Sequence, residues 1–353
     1  MAEFNINNKR ILLCPLNWGL GHATRCIPIV NKLLSDGHIV FIASSGAALT
    51  LLKKEFPDLN YFSITDYQIK YSRKLLILNL FIQIPKLLRS IKNEHVEIEK
   101  IVTQNNIDLI ISDNRYGAWS RKIKSIFITH QLNIQTPIFS FFVKKTNELF
   151  LARFDKICVP DFEGDINLSG KLSHCKFKHP NIQFIGSLSR FKKNVVESTK
   201  TIDLLFIISG PEPHRSIFEN LILVETEKHK NLITIIVRGI PDEPDLPEVN
   251  DNCKIFNHLA TGELQKLILS AKKVISRSGY TSIMDYAELR VFPFVIPTPS
   301  QTEQEYLAKY LSDIGFAYSM KQADFSIDKI LNLQATNSTI NFNSSYNLSD
   351  LLL

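Results

Sequence analysis

The amino-acid sequence predicts an α/β protein made of two doubly wound domains, each with a parallel sheet. The chain has 353 residues, which is too long for one ordinary hydrophobic core and suits two domains of roughly 150 to 200 residues. In both halves, short apolar runs typical of buried parallel strands alternate with segments of helical periodicity. Many of these runs end in polar or glycine-containing turns, where doubly wound folds bind their ligands.

Composition limits the classes of function. A hydrophobic content of 44% and a charged content of 22% are typical of a globular protein. The net charge of +6 fits a phosphate-bearing ligand or an anionic membrane surface, and no nucleic-acid-binding motif accompanies it. The longest apolar run, within residues 75–82, is far shorter than the roughly 20 residues of a membrane-spanning helix. The first eight residues also lack the apolar core of a signal peptide.

The five cysteines indicate a reducing environment. They show neither a CxxC pair nor metal-ligand spacing, so we expect five free thiols, no metal centre and a cytoplasmic protein. Their positions are 14, 26, 158, 175 and 253.

The first predicted domain covers residues 1–188. Its first strand, 10–15, leads into a loop with Trp18, Gly19 and Gly21, and a helix follows over 23–34. Four further apolar runs predict strands at 38–43, 61–64, 107–111 and 125–128. Helices are expected at 46–56 and at 78–105, the second one broken by Pro85.

Polar residues at the ends of these strands are the candidate catalytic groups. His22 follows the glycine-containing loop, Asp113 ends the fourth strand, and His130 ends the fifth. All three should lie at the same sheet edge, where a carboxylate can orient a histidine that acts as a base. His130 is a rival base to His22. The structural alternatives are that His22 is a satisfied polar core residue, that His130 satisfies a loop carbonyl and that Asp113 caps the following helix.

A charged stretch over residues 189–200 is the expected linker, and a second domain should cover 201–335. Residues 336–353 form an Asn- and Ser-rich tail that either packs back on the first domain or is partly disordered. In the second domain, strands are expected at 203–208, 231–237, 252–257, 273–276 and 294–296, and helices from 216, at 262–270 and at 281–289.

The stretch around Ser278 and Gly279 predicts a binding site for a phosphate. A buried strand ends there and a helix begins with Tyr280 and Thr281, and free N–H groups at a helix start attract anions. Six residues after Gly279, Asp285 can accept hydrogen bonds from a ribose diol, with Glu288 as the fallback. The candidate set is completed by Arg277 and by Glu303 and Gln304 beyond the next strand.

A second phosphate contact is expected at the turn after strand 203–208. Ser209 and Gly210 expose backbone donors there, and Arg215 supplies positive charge. Two prolines, Pro211 and Pro213, stiffen this turn.

These motifs resemble the GT-B glycosyltransferases, and most closely their MurG-like, family 28-like branch of UDP-glycosyltransferases. The resemblance rests on the Ser-Arg-Ser-Gly sequence at 276–279, Asp285, the strand that ends at Pro297, and Glu303-Gln304. It extends to the loop of His22 and covers about residues 1–320. It implies two Rossmann-like domains that face each other across a cleft, with the donor on the second domain and the acceptor held mainly by the first.

The implied activity is transfer of a sugar from a nucleotide sugar, expected to be a UDP-sugar, to an acceptor hydroxyl. No cofactor and no metal are expected, so the helix start with Arg277 or Arg215 would stabilise the leaving diphosphate. The acceptor is either lipid-linked or soluble. Two other functions stay open: a nucleotide-sugar 2-epimerase, which shares the fold, and a non-catalytic nucleotide-sugar-binding protein.

Residues 70–92 combine apolar and basic side chains in a way typical of segments that rest on anionic bilayers. The resemblance implies peripheral membrane contact on the cytoplasmic face through such a patch, whereas a core helix with a solvated basic face is the alternative. The basic residues are Lys70, Arg73, Lys74, Lys86, Arg89 and Lys92.

Overall fold

The computed structural model describes residues 8–67, 76–135, 140–191, 199–240, 245–333 and residue 342. They form two compact units. The first comprises the described residues of Met1–Glu163 together with Lys171–Leu188. The second comprises Gly164–Gly170 together with the described residues of Ser189–Ser344. The tail at 336–353 lies outside the described residues, apart from residue 342.

The first unit contains a parallel sheet of seven strands in the order β3-β2-β1-β4-β5-β6-β7. The strands β1 to β7 are Arg10–Pro15, Ile39–Ser44, Asn60–Ser63, Leu109–Asp113, Lys124–Ile128, Lys156–Val159 and Ile182–Phe184. The order reverses beside β1, because the chain first builds outwards through β2 and β3 and then returns to β4. Doubly wound sheets bind ligands at the carboxyl edge of such a switch point.

Four helices connect the strands of the first unit. They are α1 at Gly21–Ser35, α2 at Gly46–Glu55, α3 at Leu76–Gln104 and α4 at Ser140–Leu151. The predicted break at Pro85 is absent from α3, which continues through the proline. Pro85 is exposed, and it lacks the N–H that would continue the helical hydrogen bonds. Ile91, Ile98 and Ile101 further along α3 are buried, so their packing offsets the loss of that hydrogen bond.

The second unit contains a parallel sheet of six strands in the order β10-β9-β8-β11-β12-β13. The strands β8 to β13 are Ile202–Ile207, Thr234–Val237, Cys253–Phe256, Ala271–Ser276, Pro293–Val295 and Tyr318–Ser319. Its helices α5 to α9 are His214–Lys228, Thr261–Ser270, Tyr280–Leu289, Thr302–Asp313 and Ile327–Asn332. The prediction of two α/β domains with parallel sheets is confirmed.

Several elements were missed by the sequence patterns. The strands β6 and β13 have four and two residues, too few to show a period, and the helix α4 was also not predicted. In addition, α9 lies after Tyr318, where the hydrophobic pattern of the sequence weakens towards the tail. Its Ile327 and Ile330 are fully buried in the core of the second unit with Leu204 and Phe206, so tertiary packing determines this helix.

Among the described residues, no helix combines the length and the apolar character needed to cross a bilayer.

Candidate active site

The first candidate site forms at the carboxyl edge of the first sheet, where β1 and β4 end side by side. Pro15 at the end of β1 pairs with Asp113 at the end of β4. In the loop after β1, Gly19 has a φ of +71°, a left-handed conformation that favours glycine. Helix α1 then begins at Gly21. This turn brings His22, in the first turn of α1, directly beside Asp113.

His22 and Asp113 form a hydrogen bond that a third residue, Arg25, holds in place. Nδ1 of His22 lies 2.9 Å from Oδ1 of Asp113. Arg25 donates from Nε to Oδ2 of the same carboxylate at 2.6 Å and from Nη2 to Oδ1. Asp113 and Arg25 are buried, whereas the side chain of His22 keeps 14% of its surface exposed. The imidazole is therefore the group of these three that a substrate can reach.

Burial and the charged neighbours set the protonation states of this pair. Burial lowers the pKa of His22 and the Arg25 charge lowers it further, against the opposing effect of Asp113. Burial by itself would raise the pKa of Asp113, but Arg25 and then His22 hold this pKa well below its ordinary value. At neutral pH His22 is thus neutral and Asp113 ionised. These are the states that a general base and its supporting carboxylate need.

His130, the rival base, belongs to the same cluster. It follows β5, is buried, and its Nδ1 lies 3.3 Å from Nη1 of Arg25. The structure therefore brings together His22, Asp113 and His130, which the sequence placed at the ends of separate elements. Their catalytic roles stay predictions.

Arg25 is the site residue that the sequence reasoning missed. Its signal was available, because a residue three positions after His22 lies on the same helix face. Arg25 is also the one charged residue in a buried run that includes Ala23, Cys26 and Ile27. A fully buried arginine needs a carboxylate partner. Only the strand order identifies that partner as Asp113.

Two residues of the predicted acceptor loop, Trp18 and Gly19, are exposed, and Gly21 is half-buried. Trp18 exposes 45% of its surface. A side chain built on Gly19 would meet no heavy atom of the described residues within 4 Å. An exposed aromatic ring beside His22 in the chain suits contact with a ligand. The role of Trp18, Gly19 and Gly21 in acceptor binding stays a prediction.

The second candidate site lies in the other unit, where β11 ends and α7 begins. Gly279 caps α7 with φ −73° and ψ 135°, a conformation open to any residue. A Cβ added there would meet no heavy atom of the described part of the chain within 4 Å. Neither backbone strain nor packing therefore requires glycine at this position. The missing side chain instead lets a ligand approach the first turn of α7, which holds Tyr280 and Thr281.

The side chain of Arg277 is held by groups of the protein. Its guanidinium is fully buried, where Nη1 donates to the carbonyl of Ile296 at 3.1 Å and Nη2 donates to Oε1 of Gln322 at 2.7 Å. The group also lies 4.1 Å from the centre of the Phe218 ring. Burial lowers the pKa of Arg277 to about 10. This side chain crosslinks the core of the second unit, and its contact with a diphosphate stays a prediction.

Arg215 is also held by protein groups. Nε donates to Oε1 of Glu212 at 2.5 Å, Nη1 donates to Oε2 of Glu219, and Nη2 donates to Oγ of Ser216 at 2.7 Å. Two carboxylates thus compensate a charge that the sequence assigned to phosphate binding. Ser209 and Gly210 remain exposed in the same loop, and Gly210 has a φ of +109° that favours glycine.

Asp285 is placed close to the start of α7 but is buried. Its Oδ1 accepts a hydrogen bond from Oγ of Ser189 at 2.6 Å. Burial raises the pKa of Asp285 to about 6, although Arg190 and the Ser189 hydroxyl favour the ionised form. Glu288, one turn further along α7, is half-buried. A carboxylate has two acceptor oxygens, so the proposed contact with a ribose would use Oδ2 or replace the Ser189 hydroxyl at Oδ1.

Gln304 and Ser278 connect the starts of two helices. Oγ of Ser278 donates to the carbonyl of Gln304 at 2.8 Å, and Oε1 of Gln304 accepts from the backbone N–H of Thr298 at 2.9 Å. Both side chains are buried, whereas Glu303 is half-buried. The α7 and α8 starts are therefore neighbours, and Gln304 positions the loop between them. Within the described residues, no group of three or more His, Cys, Asp and Glu side chains could hold a metal ion.

Comparisons with known proteins find similarity to glycosyltransferases. Residues 215–348 match the family described as glycosyltransferase family 28 C-terminal domain. An uncharacterized glycosyltransferase of Methanosarcina acetivorans is 24% identical over 339 residues, covering 88% of this chain and 83% of the relative. One from Methanosarcina mazei is 22% identical over 329 residues, covering 88% and 86%.

Solved structures of similar fold are also glycosyltransferases. Spinosyn rhamnosyltransferase SpnG in complex with thymidine diphosphate aligns with a TM-score of 0.63 at 14% identity, covering 92% of each chain. MurG of Acinetobacter baumannii aligns with a TM-score of 0.55 at 16% identity, covering 92% of this chain and 89% of MurG. The fold is that of the GT-B glycosyltransferases. With the family match and the relatives, it identifies the chain as a glycosyltransferase, which confirms the resemblance seen in the sequence.

Proposed function

We propose that this protein transfers a sugar from a UDP-sugar, bound by the second unit, to an acceptor hydroxyl that His22 deprotonates. The observation that carries the proposal is the hydrogen bond of 2.9 Å between Nδ1 of His22 and Oδ1 of Asp113. A carboxylate in this position stabilises the imidazolium that forms when a histidine accepts a proton. Nε2, on the other side of the ring, is the nitrogen that accepts it.

In this step the acceptor oxygen loses its proton to Nε2 of His22 and attacks the anomeric carbon of the donor. The bond between that carbon and the diphosphate oxygen breaks, and nucleoside diphosphate leaves with the electron pair. General-base assistance of this kind contributes about 10² to 10⁴ in rate. The imidazolium of His22 then releases its proton to solvent, which restores the neutral base.

Charge on the leaving diphosphate needs dipolar or cationic groups. Because Arg277 and Arg215 are held by protein acceptors, the first turn of α7 becomes the main candidate. Helix N-termini bind phosphate through backbone N–H groups and the helix dipole. The open space above Gly279 supports this position for the diphosphate.

The proposal of a UDP-sugar rests on the family resemblance. The structurally similar SpnG, by contrast, binds thymidine diphosphate. Uridine and thymidine diphosphates should therefore be compared directly. A carboxylate that accepts the ribose hydroxyls belongs to α7 in either case, with Asp285 as the first candidate and Glu288 as the second.

A lipid-linked acceptor is supported by exposed apolar and basic side chains of the first unit. In α3, Ile84 and Leu88 are exposed beside Lys86, Arg89 and Lys92. Lys70, Arg73 and Lys74 lie outside the described residues, as do the side chains of residues 76–82.

Helix α4 also exposes apolar and basic side chains. Phe141, Phe142 and Leu149 expose 69%, 65% and 66% of their surfaces, and Lys145 is exposed among them. Leu87 of α3 and Phe150 of α4 pack against one small core, so the two helices are neighbours. Phenylalanines interspersed with lysines suit the boundary between lipid headgroups and acyl chains.

Ligand-induced stabilisation provides the direct test of the donor class. A panel of UDP, TDP, GDP, ADP and their common sugars should raise the melting temperature only for the cognate nucleotide, because a ligand that binds the native state stabilises it by mass action. Release of nucleoside diphosphate in the presence of candidate acceptors then measures transfer, with His22→Gln as the inactive control. Conversion of the donor to its 2-epimer would identify an epimerase, and binding without any product would identify a binding protein.

A further inference from the structure

Arg25 contacts every ionisable group of the first candidate site. Arg25 is 1% exposed, and its guanidinium forms a bidentate ion pair with the carboxylate of Asp113. The same group lies 2.9 Å from Nδ1 of His22 through Nη2 and 3.3 Å from Nδ1 of His130 through Nη1. One side chain therefore faces the reactive rings of both candidate bases.

The contact with His130 determines where that histidine carries its proton. An arginine has five N–H donors and no acceptor, and it stays charged in proteins. Nδ1 of His130 must therefore accept the hydrogen bond from Nη1 with its lone pair. The neutral ring then has its proton on Nε2, which makes His130 a hydrogen-bond donor at that atom.

The contact with Asp113 determines the opposite state for His22. An ionised carboxylate only accepts hydrogen bonds, so the contact of 2.9 Å with Oδ1 requires a proton on Nδ1 of His22. Nη2 of Arg25 is close to the same Nδ1, but it donates to Oδ1 of Asp113 instead. A second donor aimed at a protonated Nδ1 would repel it. The lone pair of His22 is thus on Nε2.

We propose that Arg25 is a positioning residue that gives the two histidines opposite tautomers, so that His22 accepts a proton at Nε2 and His130 donates a hydrogen bond from Nε2. This inference rests on the proposed function and deepens it, since it selects His22 as the base and excludes His130 from that role. Arg25 acts in two ways. Its hydrogen bonds hold the Asp113 carboxylate where Oδ1 meets Nδ1 of His22, and its Nη1 donates a hydrogen bond to Nδ1 of His130.

Long-range ¹H–¹⁵N spectra of the histidine rings test the proposal without any donor or acceptor. A ring nitrogen with a lone pair and one with a proton resonate at well separated ¹⁵N shifts. In the ¹⁵N-labelled full-length protein at neutral pH, we expect one ring in the Nδ1–H tautomer that disappears in His22→Gln. A second ring in the Nε2–H tautomer should disappear in His130→Gln.

Arg25→Gln should change the His130 signal towards a mixture of tautomers, because no guanidinium then donates to Nδ1 of His130. It should also shift the His22 signal, because Asp113 loses the donor that holds it beside His22. Arg121→Gln is the matched control: it removes an exposed arginine just before β5, at the opposite end of that strand, and should leave both rings unchanged. If Arg25→Gln does not fold, Arg25→Gln combined with Asp113→Asn removes the uncompensated buried carboxylate and allows the same comparison for His130.

An Nε2–H signal for His22, an Nδ1–H signal for His130, or spectra that Arg25→Gln leaves unchanged would each overturn the assignment. Spectra as expected in a protein that releases no nucleoside diphosphate would instead contradict the proposed transfer and leave the tautomer assignment standing. The two failures are therefore distinguishable.

Discussion

Nδ1 of His22 lies 2.9 Å from Oδ1 of Asp113, although 91 positions of the chain separate the two residues. The parallel pairing of β1 with β4 causes this approach, since it aligns Pro15 with Asp113. The loop that starts at Leu16 then returns the chain to the same edge at Gly21.

His22→Gln should reduce turnover by about 10² to 10⁴ while donor affinity stays unchanged, because a general base acts on the transition state and not on donor binding. Steady-state rates of nucleoside diphosphate release and calorimetric donor affinity measure the two effects. Asp113→Asn should lower the rate in the same direction. An active His22→Gln enzyme beside an inactive His130→Gln enzyme would transfer the role of base to His130.

The pH dependence of kcat/KM should have its acidic limb below the ordinary histidine pKa of 6.5, since burial and Arg25 lower the pKa of His22. The base works only when unprotonated, so a lowered pKa keeps the enzyme active to lower pH. The charged and titratable groups that face His22 are Arg25 on α1, Asp113 at the end of β4 and His130 after β5. An acidic limb at or above pH 6.5 would show that these groups do not lower the pKa of the catalytic base.

Gly279→Ala should fold as the wild type does and lose donor binding. The backbone conformation suits alanine, and the added methyl group meets no heavy atom of the described residues within 4 Å, so only a ligand would be displaced. Melting temperature without ligand and calorimetry with UDP measure the two properties. Gly210→Ala is the contrasting variant, because its φ of +109° strains alanine and should destabilise the protein itself. Unchanged UDP affinity in Gly279→Ala would contradict the proposal that the diphosphate binds at the start of α7.

Asp285→Asn should change how the free energy of unfolding depends on pH. The pKa of Asp285 is raised from 3.8 to about 6, so its stabilising contribution is complete below the unfolded pKa and is lost as the pH rises through about 6. At about 1.36 kcal/mol per pKa unit, the loss is on the order of 2 to 3 kcal/mol. Urea denaturation of both proteins between pH 4 and pH 8 should show this loss in the wild type and not in Asp285→Asn.

The same carboxylate can be compared with Glu288 in donor binding. Asp285→Ala should weaken the binding of the nucleotide sugar by roughly 1.5 to 3 kcal/mol, the range for hydrogen bonds to a charged group. Calorimetry with Glu288→Ala is the paired measurement. Loss of affinity in Glu288→Ala alone would assign the ribose contact to Glu288 and leave Asp285 as the partner of Ser189.

Sedimentation with vesicles that contain anionic lipid should recover the protein in the pellet at low salt and less of it at high salt. Each basic residue near such a surface contributes roughly 1 kcal/mol, and this attraction is screened by salt. Phe141→Ser combined with Phe142→Ser should weaken the binding, whereas Val224→Ser, which removes an apolar side chain that is 59% exposed on α5 of the second unit, should not. Equal recovery in the supernatant under all conditions would favour a soluble acceptor.

The sequence by itself determined the fold class, most of the strands of both sheets, and the positions of His22 and Gly279 at helix starts and of Asp285 within α7. Apolar runs and glycine turns are local patterns, so they can be recognised in the sequence without the structure. Only the tertiary structure decided which polar groups meet. The bond between Arg25 and Asp113 joins residues 88 positions apart and depends on strand order. The burial of Arg277 and Arg215 likewise depends on neighbouring elements, because the helical and strand periods report which face is covered but not which group covers it.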